Sequence, residues 1–282
     1  MIPLASGRGR AFHAAVRTLR LWIGYDGSGL AGWQRQAGAE SVQEHLERAV
    51  RLVTGERAGV HGAGRTDAGV HAFLQAAHVR VEGGPPERRF HLALNAHLPP
   101  AIRVLAALEV PSDFHARFSA RGKRYLYRVA AGRIRHPLLA RFVHFHAGPL
   151  DLGAMREAAR LLVGTHDFLS FATNPGHPRK RPTIRTVRAL HLRLRRGVLG
   201  ILVEGDGFLY NQVRAMAGTL LEVGRGRRPP SWVREVLEAR DRSRGGPTLP
   251  ARGLVLWRVL YPPRFGGDGL PSWVDTPGLW TP

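Results

Sequence analysis

Short segments in which apolar residues alternate with more polar ones recur along the chain, and amphipathic helical segments separate them. In the first segment Leu19, Leu21 and Ile23 alternate in this way until Asp26-Gly27 supplies turn-forming residues. A side-chain period of two predicts strands with a buried face, which requires layers of sheet and helix. The strand candidates are Arg17–Tyr25, Gln75–Val81, Ile102–Leu108, Tyr125–Ala131, Thr186–Leu194, Leu199–Glu204 and Leu254–Tyr261.

The helical segments carry boundary signals of their own. Ser41 and Glu44 have the spacing of a capping box, and apolar residues follow at helical spacing, so a helix is predicted over Ser41–Leu52. Gly224 follows an apolar segment where a C′ glycine would lie, and Ser231 stands at the start of the last helix candidate. The other helix candidates are Leu92–Leu98, Leu150–Leu162, Leu209–Val223 and Ser231–Ala239.

Both halves of the chain therefore mix strands with helices, which is typical of an α+β fold with a largely antiparallel central sheet and flanking helices. Arg195-Arg196-Gly197 predicts a hairpin between two of the strands. We expect a basic N-terminal arm over 1–16, an N-terminal lobe over 17–122, a C-terminal lobe over 123–261 and a Pro- and Gly-rich tail over 262–282, either wrapped or disordered. A transit peptide is the weaker interpretation of the arm, because the arm lacks a clear amphipathic stripe.

The charge of the chain indicates its partner. Lys and Arg number 42 against 21 Asp and Glu, a formal net charge of +21. Such a surplus attracts polyanions and displaces counterions from phosphate. All of these cations except Lys123 and Lys180 are arginines, which bind phosphate through two parallel hydrogen bonds. Codon usage in a GC-rich genome explains Arg over Lys equally well, but it does not explain the excess of cations, so we expect a nucleic acid.

Two absences exclude whole classes of function. The chain has no cysteine, which excludes disulfides, thiol nucleophiles and Cys-ligated zinc. It also has no run near the roughly 18 apolar residues that a membrane-spanning helix needs. With 44% hydrophobic and 22% charged residues, the composition is that of a soluble globular protein, and we expect it in the cytoplasm.

Three segments could carry chemistry. In the segment Ala63–His71 two glycines bracket Arg65, Thr66 and Asp67, so the backbone can turn sharply and bring a nucleophile or base close to a ligand. By itself, such an aspartate is more often an Asx-turn or a helix cap. Phe114–Tyr125 interleaves aromatic and cationic residues, as an RNA surface requires, although a half-buried strand with a solvated face has the same pattern.

The third segment places Arg214 inside an apolar helix. A buried guanidinium needs a partner, so the pattern predicts an ion pair between Arg214 and a carboxylate, with Glu222 as the local alternative. Farther back, Thr173–Arg185 is rich in Pro and cations, and we interpret it as a long loop that becomes ordered against RNA.

Taken in order along the chain, these residues resemble the TruA family of tRNA pseudouridine synthases from about Leu19 to Tyr261. One motif alone is weak, but the ordered set is highly specific. The matching motifs are Tyr25-Asp26-Gly27-Ser28, Gly32-Trp33-Gln34-Arg35-Gln36, Ser41-Val42-Gln43, Gly64–His71, Phe114–Ala120, Arg124-Tyr125, His166-Asp167-Phe168, Val213-Arg214, Gly218–Gly224 and Gly253-Leu254.

The resemblance implies a pseudouridine-synthase fold with an active-site cleft between the lobes. It implies that a homodimer isomerises uridines 38, 39 and 40 of the tRNA anticodon stem-loop without metal or cofactor. Its catalytic aspartate falls on Asp67, its uracil-stacking tyrosine on Tyr125, its aspartate-pairing arginine on Arg214 and an apolar pocket wall on Leu254, with Arg65 also beside the substrate. The weaker RNA-contact candidates are Arg35, Arg117, Lys123, Arg124, Arg179, Lys180 and Arg181.

The sequence departs from the family pattern at Asn211-Gln212, where a Met is common in the second position, and at Leu249-Pro250-Ala251, where Ala-Pro-Ala is usual. We interpret both departures as packing variation. The reaction itself requires a flipped nucleotide and an ionised Asp67. The sequence leaves open whether Asp67 attacks C1′, attacks the base or removes a ribose proton, and Tyr125 is a possible acceptor of the C5 proton.

Two rival functions have to be weighed. A non-catalytic RNA-binding protein would explain the charge and would make Asp67 dispensable. A metal-dependent nuclease would need converging ligands, yet His144 and His146 simply alternate along a strand candidate, and His71 and His78 have no acidic companions in the sequence. The phosphate-loop patterns GxxxxGK[ST] and GxGxxG are both absent.

Overall fold

The computed structural model describes residues 15–173 and 182–272. Most of the predicted arm, the last part of the predicted tail, and the RNA-contact candidates Arg179, Lys180 and Arg181 lie outside these residues. Within the described part, the predicted α+β architecture is confirmed. Five α-helices pack on a ten-stranded, mostly antiparallel sheet.

Ten strands lie within the described residues, and the first has the predicted bounds. The strands are β1 (Arg17–Tyr25), β2 (His61–Gly62), β3 (His71–Val81), β4 (Ile102–Val110), β5 (Gly122–Gly132), β6 (His144–Ala147), β7 (Gly164–Asp167), β8 (Ile184–Arg195), β9 (Val198–Gly205) and β10 (Leu254–Leu260).

The last strand in the sequence, β10, lies in the middle of the sheet. The strand order is β4-β1-β3-β10-β5-β9-β8-β7, with β2 beside β3 and β6 beside β5. β10 pairs in parallel with β3, where Val255 lies opposite His71, and antiparallel with β5, where Leu256 lies opposite Tyr125. One strand thus fixes the register between residues from both halves of the chain. The lobe boundary between 122 and 123 stays a prediction.

The helices cover the sheet and follow their predicted signals in part. The Ser41 hydroxyl accepts a hydrogen bond from the Glu44 backbone N–H at 3.3 Å, as half of a capping box does, and Gly55 ends the helix with a left-handed φ of 79°. The helices are α1 (Val42–Thr54), α2 (Glu87–Asn95), α3 (Leu152–Arg160), α4 (Gln212–Gly224) and α5 (Trp232–Ala239).

Several predicted boundaries are wrong. The helix predicted over Leu92–Leu98 is α2, which begins five residues earlier, after Pro86. α4 begins only at Gln212, because Asn211 before it takes a left-handed φ of 63°, and Gly224 belongs to its last turn. Ser231 has helical backbone angles and makes no side-chain cap hydrogen bond, so it does not cap α5. Local signals shift when tertiary packing decides where a helix begins.

The predicted hairpin is confirmed, and the described part of the tail is packed. Arg196 and Gly197 take left-handed φ values of 48° and 76°, which suits a tight turn between β8 and β9. The buried Arg20 guanidinium donates hydrogen bonds to the backbone carbonyls of Phe265 and Gly267 at 2.5 and 2.9 Å. These bonds hold the start of the tail against β1. No helix within 15–173 and 182–272 has the length and apolar character that crossing a membrane demands.

We predict that Gly218→Ala destabilises the fold. A methyl group on Gly218 would overlap the carbonyl oxygen of Pro247, because α4 packs directly on that backbone. Overpacking of this kind costs about 1–3 kcal/mol, which exceeds the helix propensity gained from alanine. Urea denaturation should show the loss, whereas Gly132→Ala, which meets nothing within 4 Å, should leave the midpoint close to that of the wild type. An undiminished midpoint for Gly218→Ala would contradict the packing described.

Candidate active site

Asp67 lies in a slot formed where β5, β10 and α4 approach the loop between β2 and β3. Arg214 comes from the first turn of α4, Tyr125 from β5 and Leu254 from the start of β10. The slot has a volume of about 70 Å³. Its lining residues are Arg65, Thr66, Asp67, Val70, Tyr125, Phe208, Leu209, Asn211, Gln212, Val213, Arg214 and Leu254. The structure therefore brings together all five residues predicted for catalysis and substrate binding.

The loop that carries Asp67 is held by the end of β1 and the turn that follows it. The Tyr25 hydroxyl shares a buried 2.8 Å hydrogen bond with the Thr66 hydroxyl, and the Trp33 backbone N–H donates to the Thr66 carbonyl at 3.0 Å. Gly32 has a left-handed φ of 89°, and a methyl group there would lie 2.5 Å from the same carbonyl oxygen. The close backbone contact and the two hydrogen bonds fix the residue next to Asp67.

Asp67 and Arg214 form the ion pair that the sequence predicts for a buried arginine. Arg214 Nη1 lies 3.3 Å from Asp67 Oδ2. The side chain of Arg214 is 16% exposed and that of Asp67 is 26% exposed. Arg214 also donates to the carbonyl of Leu249 and to Asn211 Oδ1, both at 2.6 Å. The alternative partner, Glu222, is occupied by two other arginines on the surface. Arg214 is thus fixed by neutral acceptors and directed at the carboxylate.

Burial and the Arg214 charge act on Asp67 in opposite directions. Desolvation by burial raises the pKa of the Asp67 carboxyl above its ordinary value, and Arg214 lowers it by a smaller amount through its charge and its hydrogen bond. Arg65 also lines the slot, but it is exposed to solvent, which screens its charge, and it does not shift the pKa of Asp67. Burial is the larger of the two effects, and Arg214 is the group that favours the ionised carboxylate.

Tyr125 supplies a flat apolar wall. Its side chain is 8% exposed, and the ring of Phe208 meets it edge-on with centroids 5.3 Å apart. Burial raises the pKa of the Tyr125 phenol, and the nearby hydroxyl of Tyr25 and the carboxylate of Asp67 raise it further. The phenol therefore stays neutral in the free protein. A neutral ring suits stacking on a nucleobase. Because the phenol is not ionised, it is not ready to accept the C5 proton.

The predicted RNA-contact residues fall in different places. Arg117 is exposed in the loop before β5. Lys123 is half-buried and lies on the same face of β5 as Tyr125. Arg124 points to the opposite face, where its Nε lies 2.5 Å from Glu204 Oε2. Arg35 is exposed beside a second cavity and lies 3.5 Å from Glu47.

The sequence analysis assigned no role in the site to four residues that the structure places there. Tyr25 and Thr66 stand within recognised motifs, but only their contact shows that they position the loop. Phe208 and Asn211 lie in the turn before α4, where the left-handed Asn211 brings its amide to Arg214. Gly205 and Gly207, which precede Phe208 in the sequence, were the available signal for this turn.

The histidines require one correction. His71, expected to lack an acidic companion, has Asp26 Oδ1 3.1 Å from its Nδ1, because β1 and β3 are neighbours. In the neutral ring, Nδ1 accepts a hydrogen bond from the Gly27 N–H at 3.1 Å, and Nε2 donates to the Arg141 carbonyl at 3.1 Å, so the Asp26 contact is an electrostatic one. In the part of the chain that the structure covers, no three His, Asp or Glu side chains converge as metal ligands would.

Comparison with known proteins gives the family. A family model described as tRNA pseudouridine synthase matches residues 23–119 and 158–262, which make up most of the chain. The chain belongs to the tRNA pseudouridine synthase family. The match confirms the resemblance and the isomerase class predicted from the motifs, and it contains both Asp67 and Arg214.

Curated relatives agree with this family over nearly their whole length. The chain is 45% identical over 267 residues to tRNA pseudouridine synthase A of Pseudomonas aeruginosa, covering 94% of this chain and 92% of that protein. It is 44% identical to the protein of that name from Myxococcus xanthus (92% and 95% covered) and 40% identical to that from Acetivibrio thermocellus (87% and 100% covered). The departures at Asn211-Gln212 and Leu249-Pro250-Ala251 are therefore local differences in a chain that matches these relatives over most of its length.

We predict that removing the Tyr25–Thr66 hydrogen bond slows the reaction without weakening RNA binding. Tyr25→Phe and Thr66→Val should each lower kcat about tenfold, because small displacements of a catalytic group are costly, and Thr66→Ser should retain the rate. The double variant should be no slower than either single variant, since both remove one bond. Losses of kcat that add in the double variant would show that the bond does not position Asp67. A rise in KM as large as the fall in kcat would show the same.

We also predict that the acid limb of the kcat–pH profile lies above the pKa of an ordinary aspartate, about 3.9. A raised pKa means that Asp67 takes up its proton, and loses activity, at a higher pH as the pH falls. Arg214→Gln should move the limb still higher, and Arg65→Gln should leave it in place. A ¹³C NMR titration of the Asp67 carboxyl provides the same comparison if Arg214→Gln is too slow to assay. A downward shift in Arg214→Gln would contradict the electrostatic assignment.

Proposed function

We propose that this enzyme isomerises uridine to pseudouridine at positions 38, 39 and 40 of the tRNA anticodon stem-loop, with Asp67 as its catalytic group. The observation that carries the proposal is the half-buried Asp67 carboxylate, 3.3 Å from Arg214 in a slot walled by Tyr125 and Leu254. Keeping a carboxylate in such surroundings costs stability, and groups retained at such a cost are typical of catalytic sites. The family match supports the reaction class.

The reaction breaks the N1–C1′ bond of a uridine and forms a C5–C1′ bond, while the C5 proton leaves and N1 gains one. No atom is lost, so neither oxidant nor group donor is required. Attack by Asp67 on C1′, attack on the base and removal of a ribose proton all require the ionised carboxyl. Arg214 favours that form of the carboxyl through its charge and its hydrogen bond.

The substrate has to leave the RNA stack before it reaches Asp67. Flipping a base costs a few kcal/mol, and stacking on an aromatic ring returns about 1–3 kcal/mol. Tyr125, buried and braced by Phe208, is placed to provide that ring. Arg65, exposed at the mouth of the slot, is placed to contact the RNA backbone beside the flipped nucleotide.

We further propose that the enzyme acts as a cytoplasmic homodimer on tRNA, as the family resemblance implies. The net charge of +21 supports an RNA partner, because phosphate contacts dominate the affinity of such proteins. The two-lobe division at 122/123 and the ordering of the loop 173–185 on RNA belong to the same proposal. A purely RNA-binding protein would share the charge, but it would gain nothing from a desolvated Asp67–Arg214 pair.

We predict that Asp67→Asn abolishes isomerisation and leaves the Kd for tRNA within about tenfold of the wild type, because phosphate contacts carry most of the affinity. Release of tritium from C5-labelled tRNA measures turnover, and filter binding measures Kd. Asp113→Asn, which removes an exposed carboxylate paired with Arg264, serves as the control and should remain active. Turnover by Asp67→Asn would overturn the assignment, and inactivity of the control would point to a general loss of charge balance.

A further inference from the structure

We propose that Phe118 and His115 form a stacking platform for a second nucleobase of the RNA substrate, separate from the slot that receives the reacting uridine. The proposal rests on the proposed function, since it assumes an RNA substrate. Phe118 is 75% exposed, although aromatic rings of this size are usually at least partly buried. Its ring lies against that of His115, with centroids 4.4 Å apart and planes inclined by 35°.

The platform is held rigid by its own backbone. His115 Nδ1 accepts hydrogen bonds from the N–H groups of Arg117 and Phe118 at 3.1 and 3.4 Å. The Ser119 N–H donates to the His115 carbonyl at 2.9 Å, and its hydroxyl accepts from the His115 N–H at 3.0 Å. These bonds fix the His115 ring and the backbone of Phe118, so the platform loses less conformational entropy when a ligand stacks on it, which favours binding.

Beneath the platform lies a stack of further rings. The buried His78 ring is 4.7 Å from that of His115 and 5.1 Å from that of His61, and its Nδ1 accepts from the Ala116 N–H at 3.2 Å. Burial and the neighbouring cations lower the pKa of both His78 and His115, so both rings are neutral at physiological pH. A neutral imidazole below the exposed phenyl ring continues an aromatic surface rather than a charged one.

The surroundings of the platform are cationic, which selects a nucleotide over an apolar partner. The Arg117 guanidinium lies 5.8 Å from the Phe118 ring centroid. The guanidinium groups of Arg80 and Arg117 also act on His115, and each of them lowers its pKa. An exposed aromatic face flanked by guanidinium groups is the arrangement that binds unpaired bases by stacking and their phosphates by charge.

Lys123 connects the platform with the active site. Lys123 and Tyr125 lie two residues apart on β5 and so share a face of the sheet. A methyl group on Gly64, in the loop that carries Asp67, would lie 2.5 Å from the Lys123 ammonium. Burial, with a smaller effect of Arg117, lowers the pKa of Lys123 to about 8. Lys123 thus lies against the loop of Asp67 and within electrostatic reach of Arg117, beside the platform, so RNA that enters the slot would pass close to the platform.

The test is equilibrium binding of an anticodon stem-loop RNA, in an Asp67→Asn background that prevents turnover. Phe118→Leu retains an apolar side chain but removes the aromatic face, and it should weaken binding about 5- to 150-fold, the range for one stacked base. Phe118→Trp should bind as tightly as the parent. Leu92→Ala, at another exposed apolar residue (61% exposed), is the matched control and should change nothing.

Abasic substitution then identifies the base. In the parent, an abasic nucleotide at one unpaired position other than the reacting uridine should weaken binding about as much as Phe118→Leu does. In Phe118→Leu the same abasic RNA should cause no further loss, because the two changes remove one contact.

Three results would overturn the proposal: unchanged binding by Phe118→Leu, abasic losses that simply add to those of Phe118→Leu, or a sedimentation shift showing that Phe118→Leu separates two copies of the chain. Failure of the proposed function is a different result, in which the wild-type enzyme forms no pseudouridine in tRNA at all.

Discussion

The ion pair between Asp67 and Arg214 is the interaction on which the rest of the structure depends. Its two members come from opposite halves of the chain, and β10 sets their relation by pairing with β3 on one side and β5 on the other. Neutral acceptors fix Arg214, while Tyr25, Gly32 and the backbone of Trp33 fix the loop of Asp67. The sheet is therefore the frame that holds one carboxylate opposite one guanidinium.

This arrangement sets stability against function. Because burial raises the folded-state pKa of Asp67, the protonated form is the one that the fold favours. That stabilisation is complete below the pKa of the unfolded aspartate and is lost as the pH rises through the folded pKa. The ionised form that the proposed reaction needs prevails at a pH above the folded pKa, where it costs stability, and Arg214 offsets part of that cost. Such a conflict is typical of a catalytic group.

The sequence predicts much of this fold because its signals are local. Alternation placed β1 at its observed bounds, and the apolar surroundings of Arg214 indicated that it would pair with a carboxylate. The central place of β10 could not be predicted, because strand order depends on contacts between residues far apart in the chain. For the same reason Asp26 was missed as the companion of His71.

Within the site, sequence reasoning found the groups that carry charge and missed those that position them. In the sequence, Thr66 looks like an ordinary loop residue and Tyr25 like an ordinary strand residue. Only the structure shows that their hydroxyl groups lie 2.8 Å apart. Asn211 accepts a hydrogen bond from Arg214 because its backbone takes a left-handed conformation, which the sequence analysis did not predict. Phe118 was read as part of an aromatic and cationic surface, but only the fold shows that its ring is exposed while Phe114 is buried.

Single-nucleotide mapping of pseudouridine in unmodified tRNA, after incubation with the purified protein, tests the central claim most directly. If Asp67 acts on a flipped uridine of the anticodon stem-loop, new pseudouridine should form at positions 38, 39 or 40 and nowhere else in the molecule. Pseudouridine formed only outside that stem-loop, or none formed by a protein that binds the tRNA, would contradict the account.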